Sequence, residues 1–217
     1  MANFAPADIE KESFRIIAEE LSQKGLALPE ELAPLIMRVI HATADFDYAR
    51  SMAFSPDVLP RISQALRGGA DIVTDTNMAR AGISKTALSR LGGTVHCFMA
   101  DEDVGREAQL RGVTRAVVSM ERAAELASKS AKPLLFAVGN APTALFEICR
   151  LVESKAMPLP VAVIGVPVGF VNVEASKEML MASGIPYIVS RGRKGGSTVA
   201  AAICNAILYG LKDPVNL

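Results

Sequence analysis

The C-terminal half of the chain repeats one local pattern three times: an apolar segment suited to a buried strand, a turn rich in small residues, and a helix. The three turns lie in residues 139–145, 165–177 and 191–197. In an open parallel sheet, such turns lie at the carboxyl ends of the strands, where ligands bind in the crevice. The pattern therefore predicts an α/β fold in which three neighbouring turns frame one site.

Strand candidates alternate with segments long enough for crossover helices from residue 72 onward. The five candidates are residues 72–74, 94–98, 134–138, 161–165 and 187–190. Two helices precede them: residues 8–24, ended by Gly25, and a helix opened by Pro29 whose apolar face runs up to His41. We expect an α/β/α sandwich, with a mainly parallel sheet of about five strands, helices on both faces and two N-terminal flanking helices.

The segments between the strand candidates carry further helices. A helix is predicted over about residues 56–66, and residues 101–130 are predicted to hold a polar loop and then a long helix from about Val113. The final helix, residues 198–209, is almost wholly apolar. It is therefore either deeply buried or half of an oligomer interface.

Composition limits the class of protein. The chain has 217 residues, of which 50% are hydrophobic and 21% charged, which suits one large domain over residues 1–217. Lys and Arg number 23, as do Asp and Glu, so the whole-chain charge favours neither nucleic acid nor an anionic membrane surface. The N-terminus lacks the apolar core of a signal peptide, and no unbroken apolar segment is long enough to span a bilayer. A cytoplasmic protein is therefore expected.

Several kinds of cofactor site are missing from the sequence. Cys97, Cys149 and Cys204 are widely spaced in apolar runs, which predicts buried free thiols rather than a disulfide framework or metal site. Residues 101–103 are acidic, but they suit an exposed turn at a helix start and have no His or Cys at ligand spacing. The glycine patterns of nucleotide-binding loops are absent as well. We expect neither a metal held by side chains nor a cofactor.

The two histidines have different surroundings. His96 lies inside an apolar run, where a structural histidine is expected. His41 ends an amphipathic helix just before a polar and aromatic segment, and its side chain is suited to donating and recovering a proton near neutral pH. Arg38 precedes His41 by one helical turn on the same face, so both side chains can address one ligand.

A basic, glycine-rich turn precedes the final helix at residues 191–197. Its cations and the amides at the helix start suit a carboxylate or a phosphate. The alternative is a solvated basic turn without a ligand.

Taken together, these segments are similar to the precorrin-8X methylmutase family, which includes cobalt-precorrin-8 members. The resemblance covers nearly the whole chain, and its blocks occur in the same order: Ser13-Phe14, Arg38 with His41, and the three turns. It implies a cofactor-free isomerase of cobalamin biosynthesis that moves a methyl group from C-11 to C-12 of a corrin ring, giving hydrogenobyrinate or cobyrinate. It also implies a homodimer.

The resemblance assigns roles to individual residues. It implies that His41 is catalytic and that Ser13 and Arg38 contact substrate, while Ser84 stands where one member of the family has a threonine and Arg115 aligns with an arginine of the pocket. With the turn residues added, the predicted substrate-binding set is Ser13, Arg38, Ser84, Arg115, Asn140, Arg191, Arg193, Gly195, Gly196 and Ser197.

A corrinoid ring fringed by carboxylates needs a broad apolar cleft with scattered cations, which this chain supplies. We expect His41 to protonate or hydrogen-bond the macrocycle near the migrating methyl group. Two alternatives stay open: a corrinoid carrier without turnover, and an unrelated α/β enzyme that acts on a phosphorylated small molecule. The sequence also leaves open whether the substrate contains cobalt.

Overall fold

A computed structural model describes residues 6–130 and 132–211. Its sheet contains the strands β1 Met52–Phe54, β2 Asp71–Thr74, β3 Val95–His96, β4 Leu134–Val138, β5 Ala162–Gly165 and β6 Tyr187–Ser190. The strand order is β1-β6-β5-β4-β2-β3. Strands β2 to β6 are paired in parallel, and β1 runs antiparallel to β6 at one edge.

Helices precede, connect and follow these strands. Those of the N-terminal part are α1 Pro6–Gln23, α2 Ala33–Thr43, α3 Tyr48–Ser51, α4 Val58–Arg67, α5 Asn77–Gly82 and α6 Lys85–Arg90. Those that follow are α7 Glu102–Arg111, α8 Arg115–Lys129, α9 Pro142–Glu153, α10 Val173–Ala182 and α11 Ser197–Gly210. Within the described part of the chain, no helix combines the length and apolar character needed to cross a membrane.

Side chains of β2, β4, β5 and β6 point alternately to two hydrophobic cores. In β4, Leu135 and Ala137 face the core shared with α1, α2, α4 and α11. Phe136 and Val138 face the other core, which α8, α9 and α10 cover. Such burial on both faces is what a parallel sheet in an α/β sandwich requires. The predicted fold class is therefore confirmed.

The final helix is the most apolar of the described helices, and most of it is buried within this chain. Ile203, Cys204 and Leu208 of α11 are at most 1% exposed and pack in the first core. Of the two expectations for this helix, deep burial is the one observed. Tyr209, near its end, is exposed.

Some elements differ from the sequence-based prediction. Strand β1 was not predicted, because three residues give too short a pattern of alternation. The polar loop expected after residue 101 is instead the helix α7, which turns only Val104 and Ala108 inward. Helix α2 begins at Ala33 rather than Pro29, whose carbonyl accepts hydrogen bonds in a preceding turn.

The three cysteines are free thiols, as predicted. Cys149 and Cys204 are buried, whereas Cys97 is only half-buried. Burial raises the pKa of Cys204 to about 12, so this thiol is inert at neutral pH.

Candidate active site

The turns after β5 and β6 are bonded to each other at the carboxyl edge of the sheet. The Gly196 amide donates to the Val166 carbonyl at 2.8 Å, and the Gly169 amide donates to the Arg193 carbonyl at 3.2 Å. A Cβ atom on Gly195 would lie 2.1 Å from the Val166 oxygen. Only glycine permits this approach, so the structure gives Gly195 a part in joining the two turns.

A buried carboxylate holds the turn after β4. Asp75 follows β2 and accepts hydrogen bonds from the amides of Gly139, Asn140 and Ala141 at 2.8, 2.8 and 2.6 Å. Burial raises the pKa of Asp75, and the three amide donors act in the opposite direction. These amides at the start of α9 are therefore occupied by a carboxylate of the protein itself. The Asn140 amide is thus engaged, whereas its side chain is exposed.

A buried cation holds the turn after β6. Lys177 is 1% exposed, and its Nζ donates to the carbonyls of Gly192 and Lys194 at 2.7 and 2.8 Å. The hydroxyl of Ser190 lies 3.4 Å from the same nitrogen. Desolvation lowers the pKa of Lys177 to about 8. Lys177 therefore fixes the backbone of the basic turn, whereas the side chains of Arg191 and Arg193 are exposed.

The two arginines of that turn are held differently. Nε of Arg193 lies 2.8 Å from Oε1 of Glu174, and its guanidinium lies 5.4 Å from the centroid of the Phe170 ring. The backbone of Arg191 is anchored by its amide, which donates to the Ser51 carbonyl at 2.8 Å. Both side chains are exposed.

Aromatic contacts bring the predicted residues of α1 and α2 together. The Phe14 and His41 rings lie 5.5 Å apart, tilted by 30°. The Arg38 guanidinium lies 5.3 Å from the Phe14 ring and 5.1 Å from the Tyr209 ring. Arg38 and His41 thus share one face of α2, as their spacing predicts. Ser13 is next to Phe14, and its hydroxyl donates to the Ile9 carbonyl of the same helix at 2.9 Å.

An ion-pair cluster joins the segment after His41 to the basic turn. Nζ of Lys194 lies 2.6 Å from Oδ2 of Asp45 and 2.5 Å from Oδ2 of Asp47. The Lys194 ammonium lowers the pKa of Asp45. The end of α2 and the turn after β6, which are distant in sequence, thereby form one continuous rim.

Three residues along α11 contact other elements near this rim. The hydroxyls of Ser197 and Thr76 lie 2.8 Å apart at the start of the helix. Further along, Asn205 Oδ1 accepts from the Ser84 amide at 2.8 Å, and Tyr209 contacts Arg38 as described above. Asn205 and Tyr209 are four residues apart and lie on the same side of the helix, whereas Ser197 lies two turns before Asn205 at the start of the helix. Ser84 also caps α6 through its hydroxyl, which accepts from the Ala87 amide at 3.3 Å.

Arg115 lies apart from these residues. It begins α8, and its guanidinium packs against Gly105 of α7, where an added Cβ would approach Nη2 to 3.2 Å. A hydrogen bond of 3.0 Å from Thr114 to Thr143 connects this helix start to α9. Among the residues the structure describes, no hydrogen bond or ion pair connects Arg115 to His41.

His96 has a structural setting. Its Nε2 lies 3.1 Å from Oδ2 of Asp71, the first residue of β2. Asp71 also accepts from the Thr94 amide at 2.8 Å and from Lys132 Nζ at 3.3 Å. This network begins at the amino end of β2, whereas the turns described above lie at the carboxyl ends. The structural interpretation of His96 therefore agrees with its position.

Some site residues were not recognised from the sequence. Asp75 gave one usable signal, since a carboxylate directly after a buried strand lies at the carboxyl edge of the sheet. For Lys194 and Asp45 there was no local signal, because 149 residues separate the two partners.

The open parallel sheet, its converging turns and the histidine with its neighbouring arginine define an α/β enzyme whose site lies at the carboxyl ends of the strands. Comparison with known proteins makes this specific. The family model described as precorrin-8X methylmutase matches residues 8–210, and the chain belongs to that family.

Individual relatives agree over nearly the full length. The cobalt-precorrin-8 methylmutase of Salmonella typhimurium is 44% identical over 212 residues, which are 96% of this chain and 97% of that protein. That of Priestia megaterium is 43% identical over 202 residues, or 93% of this chain and 87% of that protein. The crystal structure of precorrin-8X methyl mutase from Thermus thermophilus has a TM-score of 0.83 at 34% identity, covering 95% of this chain and 98% of that one. The resemblance inferred from the sequence blocks is confirmed.

Proposed function

We propose that this protein is the isomerase of cobalamin biosynthesis that moves a methyl group from C-11 to C-12 of precorrin-8X or cobalt-precorrin-8, giving hydrogenobyrinate or cobyrinate. Membership of the family supports the reaction class. The observation that carries the residue assignment is the packing of both Arg38 and His41 against Phe14, at the exposed end of α2. An acid–base group and a carboxylate-binding group thereby lie side by side, as a carboxylate-fringed ring requires.

In this mechanism His41 donates a proton, or a hydrogen bond, to the macrocycle near the migrating methyl group. The added positive character weakens the bond from C-11 to the methyl carbon, and the methyl group forms its new bond to C-12 on the same face of the ring. His41 then takes the proton back, so that substrate and product have the same composition. Positioned proton transfer of this kind contributes about 10²- to 10⁴-fold to a rate.

The remaining predicted residues bind the periphery of the substrate. Arg38, Arg191 and Arg193 would pair with its acetate and propionate groups, and the exposed side chains of Val168 and Phe170 would cover its apolar surface. Ser13, Ser84, Asn140 and the turn residues 195–197 would supply polar contacts to the same ligand. Arg115, which lies apart from these residues, would bind a further carboxylate of the substrate.

The protein would act in the cytoplasm as a homodimer of single-domain chains. Exposed apolar residues beside the site support an interface there, since Phe170 is 83% exposed and Val171 is 78% exposed. A second subunit over these residues would also complete a site in which His41 is open to solvent. Sedimentation equilibrium tests the dimer directly.

The decisive experiment is an anaerobic incubation of the purified protein with metal-free precorrin-8 and, separately, with cobalt-precorrin-8, followed by visible spectroscopy. His41→Ala is run in parallel, with circular dichroism to verify its fold. Conversion of either compound by the wild type, with a loss of about 10²-fold or more in the variant, is the expected result. A spectral shift on binding without conversion would favour a carrier, and full turnover by folded His41→Ala would overturn the role of His41.

A further inference from the structure

The partner of Arg38 in the free protein is itself a carboxylate. Nη2 of Arg38 lies 2.6 Å from Oε1 of Glu10, one residue of α1. We propose that Glu10 is a resident carboxylate, which a carboxylate of the ligand displaces from Arg38 when it binds. The inference rests on the proposed function, because it takes Arg38 as a contact for a carboxylate-bearing corrinoid.

The guanidinium does not depend on Glu10 for its position. It lies between the rings of Phe14 and Tyr209, at 5.3 and 5.1 Å, and its side chain is only 23% exposed. The rings occupy the space around the guanidinium carbon and leave an N–H donor for an oxygen partner. A preformed donor of this kind accepts one carboxylate in place of another without rearranging itself.

Glu10, by contrast, is suited to leaving. Its side chain is 49% exposed. The contacts of α1 with the core are made by other residues, Ile17 and Leu21. Exposed ion pairs are weak, so displacing Glu10 costs the ligand little. In the free protein, Glu10 is the counter-ion of the Arg38 guanidinium. A guanidinium as buried as this one would be unfavourable without a counter-ion.

The exchange also sets where the ligand lies. A ligand carboxylate that takes the place of Glu10 on Arg38 is held beside Phe14, and Phe14 contacts His41. The edge of the macrocycle that carries this carboxylate would thus be directed toward the proposed proton donor. Glu10 therefore selects for anionic ligands, since a neutral group gains nothing by replacing it.

The test is a titration of the wild type and Glu10→Gln with hydrogenobyrinate, followed by visible absorbance at low ionic strength. Removing the competing charge is expected to tighten binding by about 1.5- to 5-fold, the range of an exposed ion pair. Glu12→Gln is the matched control, because it makes the same charge change two residues away on a side chain paired with Arg15 at 2.6 Å. It is expected to leave the Kd unchanged.

Two further measurements separate exchange at Arg38 from a general charge effect. In an Arg38→Gln background, Glu10→Gln is expected to have no effect on the Kd. With the fully methyl-esterified corrinoid, which has no free carboxylate, Glu10→Gln is again expected to have none.

Three results would overturn the proposal: equal affinity of Glu10→Gln and wild type, equal tightening by Glu12→Gln, or tightening that persists without Arg38. Failure of the wild type to bind hydrogenobyrinate at all would instead remove the proposed function, and this inference with it. The two failures are therefore distinguishable.

Discussion

Lys194 and Asp45 form an ion pair of 2.6 Å between the turn after β6 and the segment that follows His41. Asp47 makes a second pair with the same ammonium at 2.5 Å. The contact joins the segment after the proposed proton donor, His41, to the proposed anion-binding turn through the exposed side chain of Lys194. Its expected contribution is to the geometry of the site more than to the stability of the fold.

Lys194→Met tests whether this ion pair affects the site more than the stability of the fold. Exposed ion pairs contribute at most about 1 kcal/mol, so the free energy of unfolding is expected to fall by no more than that. The KM is expected to rise several-fold, because the two parts of the rim lose their connection. Urea unfolding and steady-state kinetics measure the two effects, with Lys155→Met as a control at an exposed turn away from the site. A large loss of stability with an unchanged KM would contradict the assignment.

Gly195→Ala tests the close approach of the two turns. The new Cβ would lie 2.1 Å from the Val166 oxygen, so the two turns must separate. The free energy of unfolding is expected to fall by at least about 2 kcal/mol, and most of the enzymatic activity is expected to be lost. Gly68→Ala is the matched control, since its Cβ would have ordinary contacts of 3.4 Å and its φ of −84° suits alanine. Thermal unfolding of both variants measures the difference. Equal stability of the two would refute the steric argument.

Lys177 predicts a dependence of stability on pH. In the unfolded chain its amine keeps its proton to near 10.5, whereas in the folded protein burial lowers the pKa to about 8. Between these values the unfolded state binds more protons, so the contribution of Lys177 to the free energy of unfolding rises with pH, by at most about 1.4 kcal/mol per unit. Below pH 8 both states are protonated and this dependence vanishes.

The measurement is urea unfolding of wild type and Lys177→Met from pH 7 to 10. The wild type is expected to gain stability relative to the variant across the upper part of this range. Parallel curves would show that Lys177 titrates alike in both states. Because the substitution leaves the carbonyls of Gly192 and Lys194 without their donor, it is also expected to destabilise the fold at pH 7.

Sequence reasoning worked where the physical cause is local. The limits of β4 and β6 were predicted at their observed residues, because each is an apolar run bounded by turn residues. The common face of Arg38 and His41 followed from helical spacing alone. Helix α7 was missed for a related reason: half of its ten residues are charged and only two of them are buried, so its sequence has little apolar periodicity.

The rest of the site depends on contacts between distant parts of the chain. Asp75 satisfies amides that lie 64 to 66 residues further on, and no local pattern reports such a pairing. Glu10 and Arg38 are 28 residues apart on different helices. Such pairs form because the fold brings distant helices and turns together. They become visible only when the three-dimensional arrangement of these elements is known.

The contacts along α11 have a dimensional consequence. Ser197 and Tyr209 are twelve residues apart on this helix, and a rise of 1.5 Å per residue separates them by about 18 Å. A buried helix does not shorten or stretch, so this interval stays constant with or without a ligand. The backbone of α11 therefore sets a fixed interval between its contact to Thr76 and its contact to Arg38.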